Sequence, residues 1–423
     1  MTALALAVTR LPRPWLDKKG RFHGPRAAVF ALLLLPGLAV AARWGADALG
    51  AEPVKAALKE VGFWATWIVL ASLAVSPAKA VLGRPDLVVV RRMVGLGAMA
   101  YALLHLLLFV AYQNWRVLHA AAEIALRFYL ALGFAALVGL VVLGWTSSDE
   151  WVRHLGKRWK RLHKWVYVIA ALAVLHFYIQ SKLDVSRAVL ASGVFAWLML
   201  WRLLPAGKDR SLPALLGLAA ASAVAALGME FAWYALATKA DPWRVFWSEF
   251  SVAFGLRPAG QVLALGLLAA AAVALRRLPQ SVYGGAGRAA AVSVGGGAIA
   301  YGVLYALNLL PDLGLAGLED GAAWLVTGAW LAVFGPLGLA RRRLAEAWQR
   351  GRVDVLWAAW AVYPLWGWQL DRPEMALAAG AAVGLAALAV SARLWPVSRV
   401  AALLVAPMVG WVAYAATALL VRV

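Results

Sequence analysis

The sequence has no cysteine among its 423 residues and little charge, with only 14% Asp, Glu, Lys and Arg. The absence of cysteine excludes disulfides, iron–sulfur clusters held by thiolates and thiolate-bound haem. Soluble domains carry about 25% charged and about 45–50% apolar residues, whereas this chain is 64% hydrophobic. The composition therefore predicts an all-α, polytopic membrane protein embedded in a lipid bilayer.

Acidic residues are the scarcest charged class, 20 against 41 Lys and Arg, which leaves a net charge of +21. This excess does not indicate a nucleic-acid partner, because the basic residues collect at the ends of the apolar segments, where they set topology. Residues 1–26 are basic and lack a small-residue cleavage site after an apolar core. We expect them to form a retained cytoplasmic tail rather than a signal peptide.

Apolar segments long enough to cross a bilayer recur along the whole chain. About 20 such residues are needed for a membrane-spanning helix, and we count about thirteen candidates. They are residues 27–48, 61–79, 93–112, 127–145, 164–181, 186–204, 212–237, 258–275, 289–310, 322–340, 353–370, 374–392 and 397–421. With the N-terminus in the cytoplasm, most Lys and Arg fall on the inner side. This bias predicts a cytoplasmic N-terminus and a C-terminus outside.

Two histidines lie inside separate apolar segments at nearly equal depth. His105 follows Arg92, at the inner end of the third span, by roughly 20 Å of helix, and His176 follows Lys164 in the fifth span by roughly 18 Å. An ionisable side chain in hydrocarbon is costly and marks a functional site by default. Two imidazoles at one depth on facing helices can hold one metal, and we predict haem iron with His105 and His176 as axial ligands.

Two alternatives to a haem site remain open on these residues alone. A lone intramembrane histidine can simply hydrogen-bond a neighbouring helix carbonyl. A zinc site would need a third and a fourth ligand, and the nearest carboxylate, Glu123, lies in an outer loop.

His163 opens the fifth span within a basic stretch. It precedes His176 by 13 residues, roughly 20 Å along a helix, so both cannot reach one iron. It either ligates a second haem near the inner surface, contacts a flavin or quinone there, or is an interfacial side chain.

Two stretches resemble a known family. They are RRMVGLGAMAYALLHLLLFVAY (91–112) and TSSDEWVRHLGKRWKRLHKWVYVIAALAVLHFYIQSK (146–182). Both resemble the MsrQ haem-binding membrane subunits of protein-methionine-sulfoxide reductases, within the ferric-reductase-like transmembrane proteins. The resemblance covers residues 25–205 and implies a six-helix domain over 27–208 with one or two b-type haems. The family's haem-linked histidines match His105, His163 and His176.

The same resemblance implies cofactors and partners. Electrons would come from the quinone pool or a cytosolic flavin reductase, FMN has been associated with the family, and the acceptor would be a periplasmic molybdopterin-dependent methionine-sulfoxide reductase. The location would be the bacterial inner membrane, with the C-terminus periplasmic. The chain would be an electron-transfer subunit with no catalytic residues of its own, rather than a stand-alone enzyme.

The remainder divides into two parts. Residues 209–284 are expected to form a two-helix extension, in which Glu230 either reaches the interface or pairs with Arg244. Residues 285–423 resemble the five-helix tryptophan-rich sensory protein (TspO) family, chiefly in VSRVAALLVAP (397–407) and in the positions of Trp324, Trp330 and Trp348.

Three functions therefore compete. The first is a haem b electron-transfer subunit that serves a methionine-sulfoxide reductase. The second is a transmembrane ferric or metal reductase, although no nucleotide-binding fingerprint opens a soluble domain here. The third is a porphyrin-binding sensor or transporter dominated by the C-terminal half.

Overall fold

The computed structural model of the protein describes residues 14–17, 19–182, 184–251, 256–306, 330–362 and 373–410. These ranges form helices and connecting turns, with one isolated β-bridge between Leu16 and Phe22. The prediction of an all-α protein is confirmed.

The N-terminal part alternates long apolar helices with short surface helices. Its helices are α1 (Gly24–Gly45), α2 (Pro53–Leu82), α3 (Arg91–Tyr112), α4 (Val117–Leu126), α5 (Phe128–Trp145), α6 (Asp149–Leu155), α7 (Lys157–His163), α8 (Val166–Gln180) and α9 (Ser186–Arg202). A 3-10 helix, Pro85–Val90, leads into α3.

The remaining described residues continue the pattern. The predicted extension contains α10 (Leu212–Ala237), α11 (Pro242–Ser248) and α12 (Pro258–Arg276), and the C-terminal part contains α13 (Gln280–Ala306), α14 (Phe334–Arg342), α15 (Ala347–Val362), α16 (Pro373–Leu394) and α17 (Arg399–Leu403).

Eight helical segments in the described ranges are long and apolar enough to cross a membrane. They are Gly24–Gly45, Pro53–Leu82, Pro85–Tyr112, Phe128–Trp145, Lys157–Gln180, Leu212–Ala237, Pro258–Arg276 and Gly284–Ala306. These match the first five predicted spans and the seventh to ninth. The multi-pass membrane character is confirmed, while the count of thirteen stays a prediction.

The other five predicted spans are not among these eight segments. The sixth coincides with α9, which has 17 residues, and the one at 374–392 coincides with α16. The spans predicted at 322–340, 353–370 and 397–421 extend in part beyond the described residues.

A tyrosine joins α1 to α3. The Tyr101 hydroxyl accepts a hydrogen bond from Gly37 N–H and donates one to the Leu33 carbonyl, both at 2.7 Å. Gly37 and Leu33 are the i and i−4 partners of one helical hydrogen bond, so the hydroxyl is inserted into the backbone ladder of α1, beside Pro36. A side chain inserted in this way bends a helix and keeps both backbone groups satisfied in hydrocarbon.

The main core lies between α2, α3, α5, α8 and α9. Leu70, Ala98, Ala170 and Ala191 are each at most 1% exposed there. Small residues such as these alanines let the helix backbones approach closely, which stabilises helix packing in a membrane.

The C-terminal part has a core of its own and is docked on the start of α1 and the end of α2. Trp360 and Phe334 are fully buried in that core. Asp354 on α15 accepts from Arg341 at 2.6 Å and from Arg84, just after α2, at 3.5 Å. Gly24 and Gly351 meet so closely that a Cβ on Gly24 would lie 2.4 Å from the Gly351 Cα. These contacts are compatible with the predicted boundaries at 208 and 284, which stay predictions.

The tryptophans that carry the C-terminal resemblance are placed as follows. Trp330 is 5% exposed, and its ring stacks on Trp360 with centroids 6.5 Å apart. The Arg352 guanidinium covers the Trp348 ring at 4.4 Å. Trp324 lies outside the described residues.

Candidate functional site

The structure brings His105 and His176 together. His105 projects from α3 and His176 from α8, and their ring centroids are 6.4 Å apart with the planes at 76°. Both rings line a cavity of about 790 Å³ between α2, α3, α5 and α8. The matched depth predicted from the sequence is what allows the two rings to meet.

A carbonyl and a glycine on α2 hold the His105 ring. Nδ1 lies 2.9 Å from the Leu58 carbonyl oxygen. Gly62, one turn further along α2, lies against the same ring, and a Cβ there would be 2.6 Å from His105 Cε1. The ring therefore occupies the space that a side chain at position 62 would take.

His176 repeats this arrangement on α5. Its Nδ1 lies 2.6 Å from the Tyr129 carbonyl oxygen, and a Cβ on Gly133, one turn further along, would be 2.8 Å from Nδ1. Since a carbonyl only accepts, Nδ1 carries the proton in both rings. We find no other hydrogen bond to either ring within the described ranges, so Nε2 of each imidazole remains a lone-pair donor.

These two imidazoles suit a shared metal ion. A metal–imidazole bond of about 2 Å, with about 1 Å more from nitrogen to ring centre, places two imidazoles on one ion about 6 Å apart. The observed 6.4 Å agrees with this value. The hydrogen bond at Nδ1 is the usual outer partner of a metal-bound histidine, because it fixes the tautomer and the ring orientation. The carbonyl contact considered as an alternative is therefore present and compatible with ligation.

The described residues provide no ligand set for a zinc centre. Over the ranges that the structure describes, no group of three or more His, Asp or Glu side chains is placed to hold a metal ion. Two histidines that line one large cavity instead suit a flat macrocycle that supplies the other ligands itself.

The cavity has an apolar floor and a charged rim. The floor is lined by small and aliphatic residues such as Ala65, Val69, Ala136 and Leu140. The rim carries six basic side chains against two acidic ones. The basic ones are Arg43, Lys55, Lys59, Arg127, Lys182 and Arg187, and the acidic ones are Glu60 and Glu123. The site thus suits an amphipathic ligand with a large apolar body and an anionic edge.

Aromatic rings connect the rim to the segment that carries His176. Arg187 lies over the Phe63 ring at 5.2 Å, and Phe63 meets Phe177, the neighbour of His176, edge to face at 6.2 Å. This contact holds one rim cation close to the cavity wall.

His163 lies apart from this pair, at the end of α7. Its ring stacks on Trp159 with centroids 3.9 Å apart, and Nε2 lies 3.2 Å from the Thr146 hydroxyl. That hydroxyl donates to the Val142 carbonyl, so its oxygen accepts from His163. These contacts fit the interfacial alternative. A second haem on His163 stays a prediction, and it would require Nε2 to leave Thr146.

Gly62, Gly133, Leu58 and Tyr129 were not identified from the sequence. An isolated glycine inside a long apolar helix indicates a close approach by another group, and this signal could have singled out the two glycines. The two carbonyl acceptors carry no side-chain signal at all.

Most residues of the site lie in a segment that matches a known family. Residues 54–174, which include His105 and end two residues before His176, match the family described as "Ferric reductase like transmembrane component". A relative from Rhodospirillum rubrum, named "Protein-methionine-sulfoxide reductase heme-binding subunit MsrQ", is 40% identical over 196 residues, 93% of its own length and 45% of this chain.

The chain belongs to the MsrQ family. Two further MsrQ proteins of the same name are each 39% identical to it. The one from Xanthomonas campestris pv. campestris (strain 8004) matches over 163 residues, 73% of its length and 37% of this chain. The one from Caulobacter vibrioides matches over 161 residues, 76% of its length and 37% of this chain. No solved structure matches the chain.

Membership in the MsrQ family covers less than half of the chain. The matched lengths, 161–196 residues, are similar to that of the predicted haem domain, residues 27–208. The resemblance of residues 285–423 to the tryptophan-rich sensory proteins stays a prediction.

Proposed function

We propose that this chain is the haem-binding electron-transfer subunit of a protein-methionine-sulfoxide reductase, with His105 and His176 as the axial ligands of one b-type haem. The observation that carries the proposal is the repeated arrangement of the two rings. Each has its Nδ1 proton on a neighbouring carbonyl and faces a common cavity, at a separation that suits one shared ion.

The chain's own groups have distinct tasks in this proposal. The Leu58 and Tyr129 carbonyls orient the imidazoles and make Nε2 more basic, which favours the higher oxidation state of a bound metal. The apolar floor excludes water, and the basic rim binds the carboxylates of the porphyrin. When bound, the haem supplies reversible uptake and release of single electrons.

The direction of electron flow follows from the predicted topology. The donor would be quinol or a cytosolic flavin, with FMN as an intermediate carrier in the second case. The acceptor would be a molybdopterin-dependent methionine-sulfoxide reductase in the periplasm, on the far side of the bacterial inner membrane. Reduction of one sulfoxide to the thioether and water consumes a pair of electrons and a pair of protons. The haem site would therefore turn over twice for each methionine repaired.

Spectra of the purified full-length protein test the ligand assignment. The wild type should give a low-spin b-type spectrum in reduced-minus-oxidised difference spectra, and His105→Ala and His176→Ala should each abolish it. His154→Ala is the matched control, because this histidine is exposed on α6 and should leave the spectrum unchanged. A low-spin band that survives in the double variant would refute the assignment.

A second measurement tests the role in electron transfer. The chemically reduced protein is mixed with a methionine-sulfoxide reductase of the same system, with and without a methionine sulfoxide substrate. Reoxidation of the haem band only when both are present supports the proposal. Equally fast reoxidation by ferric chelates alone would favour the metal-reductase alternative.

A further inference from the structure

Two buried glutamates and a half-buried arginine form a group near the cofactor cavity, in the extension that follows the matched region. Glu230 is on α10, Glu249 follows α11, and Arg257 precedes α12. The side chains of Glu230 and Glu249 are 1% and 2% exposed. Both alternatives predicted for Glu230, the interface and a pairing with Arg244, are wrong, because its side chain is buried and pairs with Arg257.

One guanidinium donates hydrogen bonds to both carboxyl groups. Arg257 Nη2 donates to Glu230 Oε1 at 3.1 Å, and Arg257 Nε donates to Glu249 Oε1 at 3.3 Å. Glu249 Oε2 accepts from the backbone N–H of Ala259 at 2.9 Å. The remaining oxygen, Glu230 Oε2, is buried and has no donor among the described residues.

Both carboxyl groups are bound by the same guanidinium, so they lie next to each other. The charge balance indicates a proton on one of them. Two carboxylates and one guanidinium leave an uncompensated negative charge, which is costly in a buried site, and a single proton removes it.

We propose that Glu230 and Glu249 form a proton-binding site that holds one shared proton between them. The proton belongs to the pair rather than to either residue. With it, the Glu230–Glu249–Arg257 group is neutral, and without it the group carries one negative charge.

The other charged and titratable groups around Glu230 add no positive charge that could take the place of this proton. They are Asp184 in the loop before α9, Tyr178 on α8 and Tyr234 on α10. Asp184 adds negative charge and so favours a proton on the pair. The Tyr178 hydroxyl is occupied, since it donates to the Met229 carbonyl at 2.9 Å.

The same neighbours connect the pair to the cofactor cavity. Tyr178 comes two residues after His176, and its ring packs edge to face on Trp233 at 5.1 Å. Trp233 donates to the carbonyl of Lys182, and Lys182 lines the cavity rim. Charge on the pair therefore lies close to the cavity in a region of low dielectric, where its field is weakly screened.

This proximity couples the proton to the electron, a step that rests on the proposed haem function. Loss of the proton to water would leave a negative charge on the pair, which would lower the midpoint potential of a bound haem. By linkage, the pair would bind its proton more tightly when that haem is reduced. Where the oxidised protein has released the proton, the pair would take up one proton from water with each electron received and return it when the electron leaves.

Infrared spectroscopy of the full-length protein tests the proton site without any need for haem. The wild type at neutral pH should show the C=O stretch of a buried protonated carboxyl. Glu249→Gln and Glu230→Gln should each abolish it, because the remaining carboxylate then pairs with Arg257 alone. Asp241→Asn, an exposed carboxyl in the same extension, should retain it. Absence of the band in the wild type, its persistence in both variants, or its replacement by a signal that depends on added sodium or calcium ions would overturn the proposal.

A redox titration then tests the coupling. The haem midpoint potential should fall as the pH rises through the range in which the infrared band disappears. This dependence should be lost in Glu249→Gln and kept in Asp241→Asn. A protein that lacks haem would refute the proposed function yet leave the infrared result standing. An infrared band that titrates while the midpoint potential stays constant would overturn the coupling alone.

Discussion

Gly62 lies directly against the imidazole of His105, so closely that a Cβ on Gly62 would be 2.6 Å from Cε1. Gly133 has the same relation to His176, with 2.8 Å to Nδ1. In both cases the carbonyl that accepts from Nδ1 belongs to the residue four positions earlier. A glycine and a carbonyl one helical turn apart thus form a seat for an imidazole ring, and this seat occurs twice in the chain.

Gly62→Ala and Gly133→Ala should each displace a ligand imidazole. Overpacking of this kind costs about 1–3 kcal/mol, so we expect haem to be held roughly ten- to a hundredfold more weakly, with distorted low-spin signals in electron paramagnetic resonance. Gly95→Ala is the matched control, since a Cβ at that position on α3 meets nothing within 4 Å. Normal haem content and signals in both seat variants would show that the seats do not position the ligands.

His163→Ala should preserve the low-spin signal of the His105–His176 site. His163 is roughly 20 Å from His176 along the helix, and it contacts Trp159 and Thr146 instead. The haem-to-protein ratio, measured on the same sample, decides between the alternatives for this residue. A ratio that falls by one haem on substitution would identify a second haem on His163, whereas an unchanged ratio would support the interfacial role. Loss of the His105–His176 signal itself would contradict the separation of the two regions.

Asp354→Asn should loosen the contact between the C-terminal part and the N-terminal helices that carry His105 and His176. Asp354 is the shared partner of Arg341 and Arg84, but both arginines are about one third or more exposed, so we expect a loss of about 1 kcal/mol. Limited proteolysis after α12 should become faster, while the haem spectrum stays the same. Asp86→Asn serves as control, because it removes the other carboxylate on Arg84 and leaves the contact with Asp354 in place. Equal proteolysis of both variants would rule out this docking role.

A chain ending at residue 284 should still bind haem with the wild-type spectrum. Every residue of the candidate site lies before residue 205, and the relative from Rhodospirillum rubrum is matched over 93% of its length by 196 residues of this chain. Removal of α13 to α17 exposes apolar surface to lipid rather than water, which membrane helices tolerate. Loss of haem from the shortened chain would show that the C-terminal part helps to build the site.

Much of the fold could be predicted from local composition. A bilayer requires about 20 apolar residues for each crossing and leaves the backbone no alternative to a helix, so hydropathy alone located most of the long helices. Depth along each helix follows from a constant rise per residue. For this reason the meeting of His105 and His176 could be anticipated from their distances to Arg92 and Lys164.

The partners of individual polar groups could not be predicted in this way. Pairing with Arg244 was one of two alternatives predicted for Glu230, yet the structure pairs it with Arg257. Likewise, nothing local indicates that the Tyr101 hydroxyl enters the hydrogen-bond ladder of α1. Such pairings depend on how helices distant in sequence are rotated and offset against one another.

The sequence by itself determined that this protein spans a membrane as helices and carries two histidines at one depth, because hydropathy and helical rise are properties of consecutive residues. Only the tertiary structure decided that both rings face one cavity, that each rests on a glycine with its Nδ1 on a backbone carbonyl, and that two glutamates share one arginine. These relations join residues from different helices, and the close approach that creates them is set by packing.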